Sequence, residues 1–210
     1  MSVRSDQIRA SDLDWLTILI YFVLSMIGWF SIYASVYDVE TQKDIFDLST
    51  NSGKQFLWII FSVFIIIPVL IIDYKVFDSF AYIFYFIMMV VMFILIFMGT
   101  EIRGAKTWIN LGFFRIQPLE FAKLSTVMAV SKYLSTYNVK IVQRKSQIIL
   151  ALLIIIPFVL TLLQGDTGSA LVFCSFIFVF YREGISQTIL IIAFTLIALF
   201  VLSLLLPVYY

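Results

Sequence analysis

Long apolar runs constrain this chain more than any other feature of its sequence. A membrane-spanning helix needs roughly 20 consecutive, mainly apolar residues. By that rule the sequence predicts seven segments, at about 15–36, 56–72, 79–99, 118–136, 147–163, 169–181 and 185–206. The 210 residues are 62% hydrophobic and 13% charged, whereas a soluble domain is typically about 45–50% apolar and about 25% charged. We therefore expect an all-α, polytopic membrane helix bundle.

Composition also excludes several classes of function. The net charge of +1 gives no basic surface for nucleic acid. The sequence has no histidine, which removes a histidine base, a histidine-bound metal and a Ser-His-Asp triad. The single cysteine, Cys174, cannot form an internal disulfide. Chemistry must therefore use Asp, Glu, Lys, Arg or bound ions.

Lysines and arginines near the span ends predict the orientation, because cytoplasmic loops are enriched in them. With residues 1–14 as a cytoplasmic tail, residues 15–210 form one transmembrane domain with outer loops at 37–55, 100–117 and 164–168. The cytoplasmic cations are then Arg4, Arg9, Lys75, Lys132, Lys140, Arg144, Lys145 and Arg182. The outer cations are Lys43, Lys54, Arg103, Lys106 and Arg115. The larger cytoplasmic set places the N-terminus inside.

One outer loop, 100–117, departs from that charge bias. It carries Arg103, Lys106 and Arg115 on the side of the membrane where cations are disfavoured. One interpretation is a bound anion at the outer surface. The other is that these cations contact lipid headgroups or flank the spans. Trp108, with the apolar residues 113–114, suits an interfacial anchor, which is common in membrane proteins.

The segment after this loop begins with a helix-start signal and two opposite charges. Pro118, preceded by Gln117, suits a first helical position, and Glu120 is then favoured by the helix dipole. Lys123 opposes that dipole and enters the membrane at a cost. Since Glu120 and Lys123 are three residues apart, they predict an ion pair. The pair either fixes helix packing or faces a cavity and positions substrate. The outward helix N-terminus itself favours phosphate.

A second outer loop reads Q-G-D-T-G-S over residues 164–169. Asp166 or Thr167 could cap the next helix, and the two glycines could serve the turn. The spacing of these residues supports a functional role for the loop no more and no less than it supports capping and turn formation. Pro68 and Pro157 lie within predicted spans and indicate kinks.

Two motifs carry a family resemblance. G-A-K-T-W-I-N-L-G-F-F-R-I-Q-P-L-E-F-A-K, residues 104–123, resembles the hallmark of the SEDS proteins (shape, elongation, division, sporulation). Q-G-D-T-G-S-A-L-V, residues 164–172, resembles a second family motif. D-W-L-T-I-L-I-Y at 14–21 and G-W-F-S-I-Y-A-S at 28–35 resemble the rod-shape branch rather than the division branch.

The resemblance implies a peptidoglycan glycosyltransferase in the bacterial cytoplasmic membrane. Such proteins polymerise lipid II, a disaccharide-peptide on undecaprenyl diphosphate, beside a class B penicillin-binding protein. Prepositioned cations stabilise developing negative charge, a role that we assign to Arg103, Lys106 and Lys123. Glu120 would orient Lys123 or hold a divalent cation, and no organic cofactor is expected. The expected substrate-binding residues are Arg103, Lys106, Trp108, Gln117, Glu120, Lys123 and Asp166.

The chain also departs from the family pattern. Leu119 stands where the family commonly has serine, and Gly165 and Thr167 replace proline and leucine in the second motif. The family has about ten spans and a catalytic aspartate in an outer loop beyond the seventh. No residue of this chain is therefore assigned as catalytic. We expect an N-terminal portion that holds substrate and does not polymerise glycan alone.

Two other functions stay open from the sequence. A flippase for the same lipid-linked precursor would use a charged cavity between broken helices, although the charges here cluster on the outer side. A membrane scaffold for a penicillin-binding protein would make the Glu120–Lys123 pair purely structural.

Overall fold

A computed structural model describes residues 14–36, 44–102, 104–112, 115–136, 141 and 143–205. The helices are α1 (Trp15–Val36), α2 (Asn51–Ile71), α3 (Tyr74–Met98), α4 (Pro118–Ser135), α5 (Arg144–Leu163), α6 (Thr167–Cys174), α7 (Phe176–Arg182) and α8 (Gln187–Leu205). Three short strands lie between α3 and α4: β1 (Thr100–Ile102), β2 (Ala105–Asn110) and β3 (Arg115–Ile116).

The predicted helical bundle is confirmed, since each of the seven predicted segments is helical. Within the described residues, four helices are long and apolar enough to cross a membrane: α1, α2, α3 and α5. Thr167–Arg182 and Gln187–Ser203 are shorter apolar helices. The predicted segment 169–181 is broken at Ser175, whose backbone N–H and hydroxyl both donate to the carbonyl of Val172. The break divides it into α6 and α7.

Helices α2 and α3 begin earlier than the apolar runs from which they were predicted, because their first turns contain polar residues. Helix α2 begins at Asn51 rather than 56, because the Thr50 side chain accepts a hydrogen bond from the Gly53 N–H at 3.2 Å and caps it. Helix α3 begins at Tyr74 rather than 79. The predicted outer loop 37–55 is therefore helical in its last residues, and 37–43 lie outside the described residues.

The chain divides into two compact units, Met1–Asp73 and Tyr74–Tyr210, so one transmembrane domain over 15–210 stays a prediction. In the first unit, Trp29 ties α1 to the start of α2. Its indole N–H donates to the Ser52 carbonyl at 2.9 Å, and its ring stacks on Phe56 with centroids 5.0 Å apart. The remaining apolar surface of both helices is largely exposed, as lipid-facing helices require.

The core of the second unit lies between α3, α4 and α6. Methionines and Tyr85 of α3 pack against Leu119, Ala122 and Ala129 of α4 and Phe173 of α6. Small residues on α4 allow the helix backbones to approach closely. As the sequence predicts, α4 buries its polar side chains: Ser125 and Thr126 are fully buried and donate to the Ala122 carbonyl.

The far end of α4 is fastened to α3 by one lysine. Lys132 Nζ donates to the Asp78 carbonyl at 2.5 Å, lies 3.7 Å from the Asp78 carboxylate and sits over the Tyr82 ring, 5.1 Å from its centroid. These contacts hold α4 against α3 along its length, so the opposite end of α4 presents its first turn to the strands.

The strands form a small antiparallel sheet of order β1-β2-β3, which the sequence analysis did not predict. Ile102 pairs with Ala105, and Asn110 pairs with Arg115. Gly104, at φ +82°, allows the tight β1–β2 turn. Pairing satisfies backbone groups that would otherwise need partners near lipid. The predicted loop 100–117 is thus a structured cap over one end of this unit.

Candidate functional site

A cavity of about 550 Å³ lies at the strand end of the second unit. It is an open cleft between the β1–β2 hairpin, the β3–α4 junction and the α5–α6 loop. Its lining residues are Ile102, Ala105, Thr107, Trp108, Arg115, Gln117, Gly165, Asp166, Thr167 and Gly168. Ligand pockets typically measure about 300–1,000 Å³, so the volume suits a small organic ligand.

The β3–α4 junction brings Arg115 and Gln117 to the same wall. The chain is extended there, with Gln117 at φ −105° and ψ 98°, and residues two apart in an extended chain share a side. The Gln117 amide Nε2 lies 3.4 Å from the buried Thr107 hydroxyl. Pro118 begins α4 and Gln117 provides no side-chain cap. Pro118 has no N–H, and the Glu120 N–H donates to the Gln117 carbonyl at 3.1 Å, so this helix end favours an anion through its positive dipole.

The α5–α6 loop is held by Gln164. Its side chain is 2% exposed, and Nε2 donates to the Met92 carbonyl of α3 at 2.7 Å. Its backbone carbonyl accepts the Lys106 N–H of β2 at 2.8 Å. Gly165, at φ +84°, passes so close to the hairpin that a Cβ there would lie 2.7 Å from the Gly104 carbonyl oxygen. Gln164 thus joins α3, α5 and β2 and fixes the loop that follows.

Asp166 both caps a helix and lines the cavity. Its Oδ1 accepts the Ser169 N–H at 2.9 Å and caps α6, which confirms the capping interpretation. The same side chain also lines the cavity. A carboxylate that caps through one oxygen keeps its second oxygen for another donor.

The structure brings three of the predicted binding residues together and separates the others. Trp108, Gln117 and Asp166 line the cavity. Lys106 of β2 is exposed and does not line the cavity. Arg103 lies outside the described residues, as do 113–114. The assignment of these residues to substrate stays a prediction.

The predicted ion pair between Glu120 and Lys123 is present, with Nζ 2.7 Å from Oε1. The Glu120 side chain is 57% exposed and the Lys123 side chain 25% exposed. Neither lines the cavity beside the strands. Lys123 instead lines a second cavity, of about 230 Å³, between α4 and α6–α7. The pair therefore lies along α4, apart from the hairpin and the α5–α6 loop.

Sequence reasoning left Arg115, Thr107 and Thr167 out of the binding set, although all three line the cavity. Arg115 had a readable signal, since it stands two residues before Gln117 in an extended stretch. Thr107 and Thr167 carried no such signal in the sequence, because their place in the cavity depends on contacts between distant segments. Among the described residues no group of three or more His, Cys, Asp or Glu could hold a metal ion.

The helices and the polar cavity beside the small sheet define the class: a polytopic helical membrane protein with a candidate binding site at one end of its second unit. The family described as cell cycle protein, FtsW/RodA/SpoVE, matches residues 14–210. The chain belongs to this family, the SEDS proteins.

Relatives and solved structures agree with that membership. The chain is 31% identical to the peptidoglycan glycosyltransferase RodA of Treponema pallidum, over 78% of this chain and 36% of that protein. The fold matches the rod shape determining protein RodA of Thermus thermophilus with a TM-score of 0.75, at 24% identity, over 91% of this chain and 59% of that one.

A third match is to a chain from a structure described as "Structural coordination of polymerization and crosslinking by a peptidoglycan synthase complex". Its TM-score is 0.68 and its sequence identity to this chain is 25%. The match covers 93% of this chain and 53% of that chain. In these three comparisons, the chain therefore spans between about a third and three fifths of the length of the proteins that it resembles.

Proposed function

We propose that this chain supplies the substrate-holding part of a peptidoglycan glycosyltransferase that polymerises lipid II. The observation that carries the proposal is the polar cavity formed by the two family motifs, residues 104–123 and 164–172, which lie far apart in the chain and meet at its walls. The Treponema relative bears this activity in its name. The similarity of this chain to that relative in sequence, and to RodA in fold, supports the same activity here.

The geometry supports a place for the diphosphate at the β3–α4 junction. Arg115 is exposed at the cavity wall and makes no ion pair with another described residue. It stands three residues before the start of α4, whose positive dipole end favours an anion. A guanidinium can bind phosphate oxygens in a bidentate manner. Arg103 and Lys106 would add positive charge from the hairpin.

In the reaction, the glycosidic bond to the diphosphate breaks as the acceptor hydroxyl attacks and loses its proton. This chain would contribute binding, orientation and charge stabilisation of the departing diphosphate. The same proposal places the protein in the bacterial cytoplasmic membrane with a cytoplasmic N-terminus. It also includes a class B penicillin-binding protein as partner, in line with the synthase complex to which the fold is similar.

The test is a chimera in which residues 14–205 replace the structurally equivalent part of Thermus RodA. Reconstituted with fluorescent lipid II, it should yield glycan polymer on gels. Arg115→Ala should slow polymerisation by at least about tenfold, because a charge-assisted hydrogen bond contributes about 1.5–3 kcal/mol. Arg115→Lys should restore part of the rate.

Lys54→Ala is the matched control, since it removes an exposed outer cation that does not line the cavity. A folded chimera that makes no polymer, or an Arg115→Ala variant at the parent rate, would contradict the proposal. Translocation of labelled lipid II without polymer would favour a flippase instead.

A further inference from the structure

The cavity is lined by polar groups that have no partner among the described residues. These are the Trp108 indole N–H, the Arg115 guanidinium, the Gln117 amide oxygen, the second Asp166 carboxylate oxygen and the Thr167 hydroxyl. Trp108 and Gln117 are half-buried, where an unmade hydrogen bond has a cost. Donors and acceptors are thus mixed around the cavity, and a ligand that presents both would satisfy them.

Charge separates two kinds of ligand. Among the described lining residues, Arg115 is the one cation and Asp166 the one acid, and the remaining side chains are neutral. A diphosphate inside the cavity would meet the Asp166 carboxylate, and like charges repel strongly where water is partly excluded. A neutral ligand leaves the two charges balanced and can use both.

Shape points the same way. Trp108 offers a flat apolar face with one donor at its edge. Gln117, Asp166 and Thr167 offer short, directed polar groups around it. A pyranose ring has this same division, with apolar C–H faces and a rim of hydroxyl groups that both donate and accept. The opposite α5–α6 wall contains Gly165 and Gly168, so backbone approaches the cavity without bulky side chains.

We propose that this cavity is a subsite for a neutral sugar ring of the glycan substrate, with Trp108 against the ring face and Asp166 accepting from a ring hydroxyl. The diphosphate then lies outside this subsite, at the exposed side of Arg115 and the start of α4. The identity of the sugar as an N-acetylated hexosamine rests on the proposed function. The division of the site into a neutral and an anionic part rests on the cavity itself.

The test measures binding directly, without polymerisation. The 210-residue chain in lipid nanodiscs is titrated with di-N-acetylchitobiose, a neutral N-acetylated disaccharide, and binding is followed by saturation-transfer NMR. We expect saturable binding that pyrophosphate does not displace. Asp166→Asn should weaken it about tenfold, the value of one hydrogen bond to a charged group, while asparagine still caps α6.

Trp108→Leu should abolish binding, and Trp58→Leu, on α2 of the other unit, should leave it unchanged. Circular dichroism establishes that each variant is folded. Absence of chitobiose binding by the folded chain would overturn the inference. So would displacement by pyrophosphate together with tighter pyrophosphate binding in Asp166→Asn, since the cavity would then be an anion site.

The two proposals fail separately. A chimera that polymerises lipid II, paired with a chain that does not bind chitobiose, removes the sugar subsite alone. A chain that binds chitobiose as described, paired with an inactive folded chimera, removes the glycosyltransferase assignment alone.

Discussion

At the scale of single residues, the site depends on side chains that hold structure and face the cavity at once. Asp166 is the clearest case, because one oxygen caps α6 and the side chain also lines the cavity. Its capping role was readable from the sequence, since Asp followed by a helix is a common N-cap pattern. Its place in the same cavity as Arg115 was not readable, because the two residues come to that cavity only through the packing of distant segments.

The two roles of Asp166 can be separated by substitution. Asp166→Ala removes the hydrogen bond to the Ser169 N–H and should lower the free energy of unfolding by about 1 kcal/mol, whereas Asp166→Asn keeps a cap and should change it by a few tenths. Thermal unfolding in detergent, followed by circular dichroism, measures both. Equal destabilisation by the two substitutions would mean that the charge, rather than the cap, stabilises this end of α6.

At the scale of elements, the sheet is the part that sequence analysis missed. The stretch A-K-T-W-I-N contains Thr107, Trp108 and Ile109, which favour strands, and Gly104 and Gly112 bound it. Its charges and its place between two predicted spans led to its interpretation as a loop. The helices were predictable because each depends on a local apolar run. The sheet also depends on a distant partner, the Gln164 carbonyl that accepts the Lys106 N–H.

The close approach of the α5–α6 loop to the hairpin predicts an asymmetry between two glycines. Gly165→Ala combines φ +84° with a Cβ 2.7 Å from the Gly104 oxygen. It should lower the free energy of unfolding by at least about 1–2 kcal/mol, the cost of the left-handed conformation alone. The substitution should also push the α5–α6 loop away from the hairpin and weaken the hydrogen bond from the Lys106 N–H to the Gln164 carbonyl. The Lys106 amide should therefore be less protected from hydrogen exchange.

Gly168→Ala is the matched control, three residues along the same chain. It lies in α6 with ordinary φ, and its Cβ would meet only Asp166 Oδ1, at 3.9 Å. It should be neutral or should stabilise the chain by up to about 1 kcal/mol, as alanine does in place of glycine within a helix. If Gly168→Ala were the more damaging of the two, the described packing of the loop on the hairpin would be wrong.

At the scale of the whole molecule, apolar length predicted the seven helical segments, while their packing required the structure. Helix α4 illustrates the limit. Its Ser125 and Thr126 indicated burial, and they are buried. The sequence analysis, however, grouped Glu120 and Lys123 of this helix with Trp108 and Asp166 in one substrate site. In the structure that pair lies along α4, and Lys123 lines a separate cavity. Periodicity shows which face of a helix is buried, but not which neighbour meets it.

The orientation of the chain is a whole-molecule prediction that a single native cysteine makes simple to test. Cys174→Ser gives a background without cysteine. On that background Lys106→Cys, in β2, and Lys145→Cys, in the first turn of α5, each replace an exposed lysine at opposite predicted sides. The excess of basic residues near the Lys145 side places that side in the cytoplasm. In intact cells, a membrane-impermeant maleimide should therefore label the Lys106→Cys variant, and label the Lys145→Cys variant only after permeabilisation. The reverse pattern would put the cavity on the cytoplasmic face, where lipid II is not polymerised into wall, and would remove the proposed glycosyltransferase.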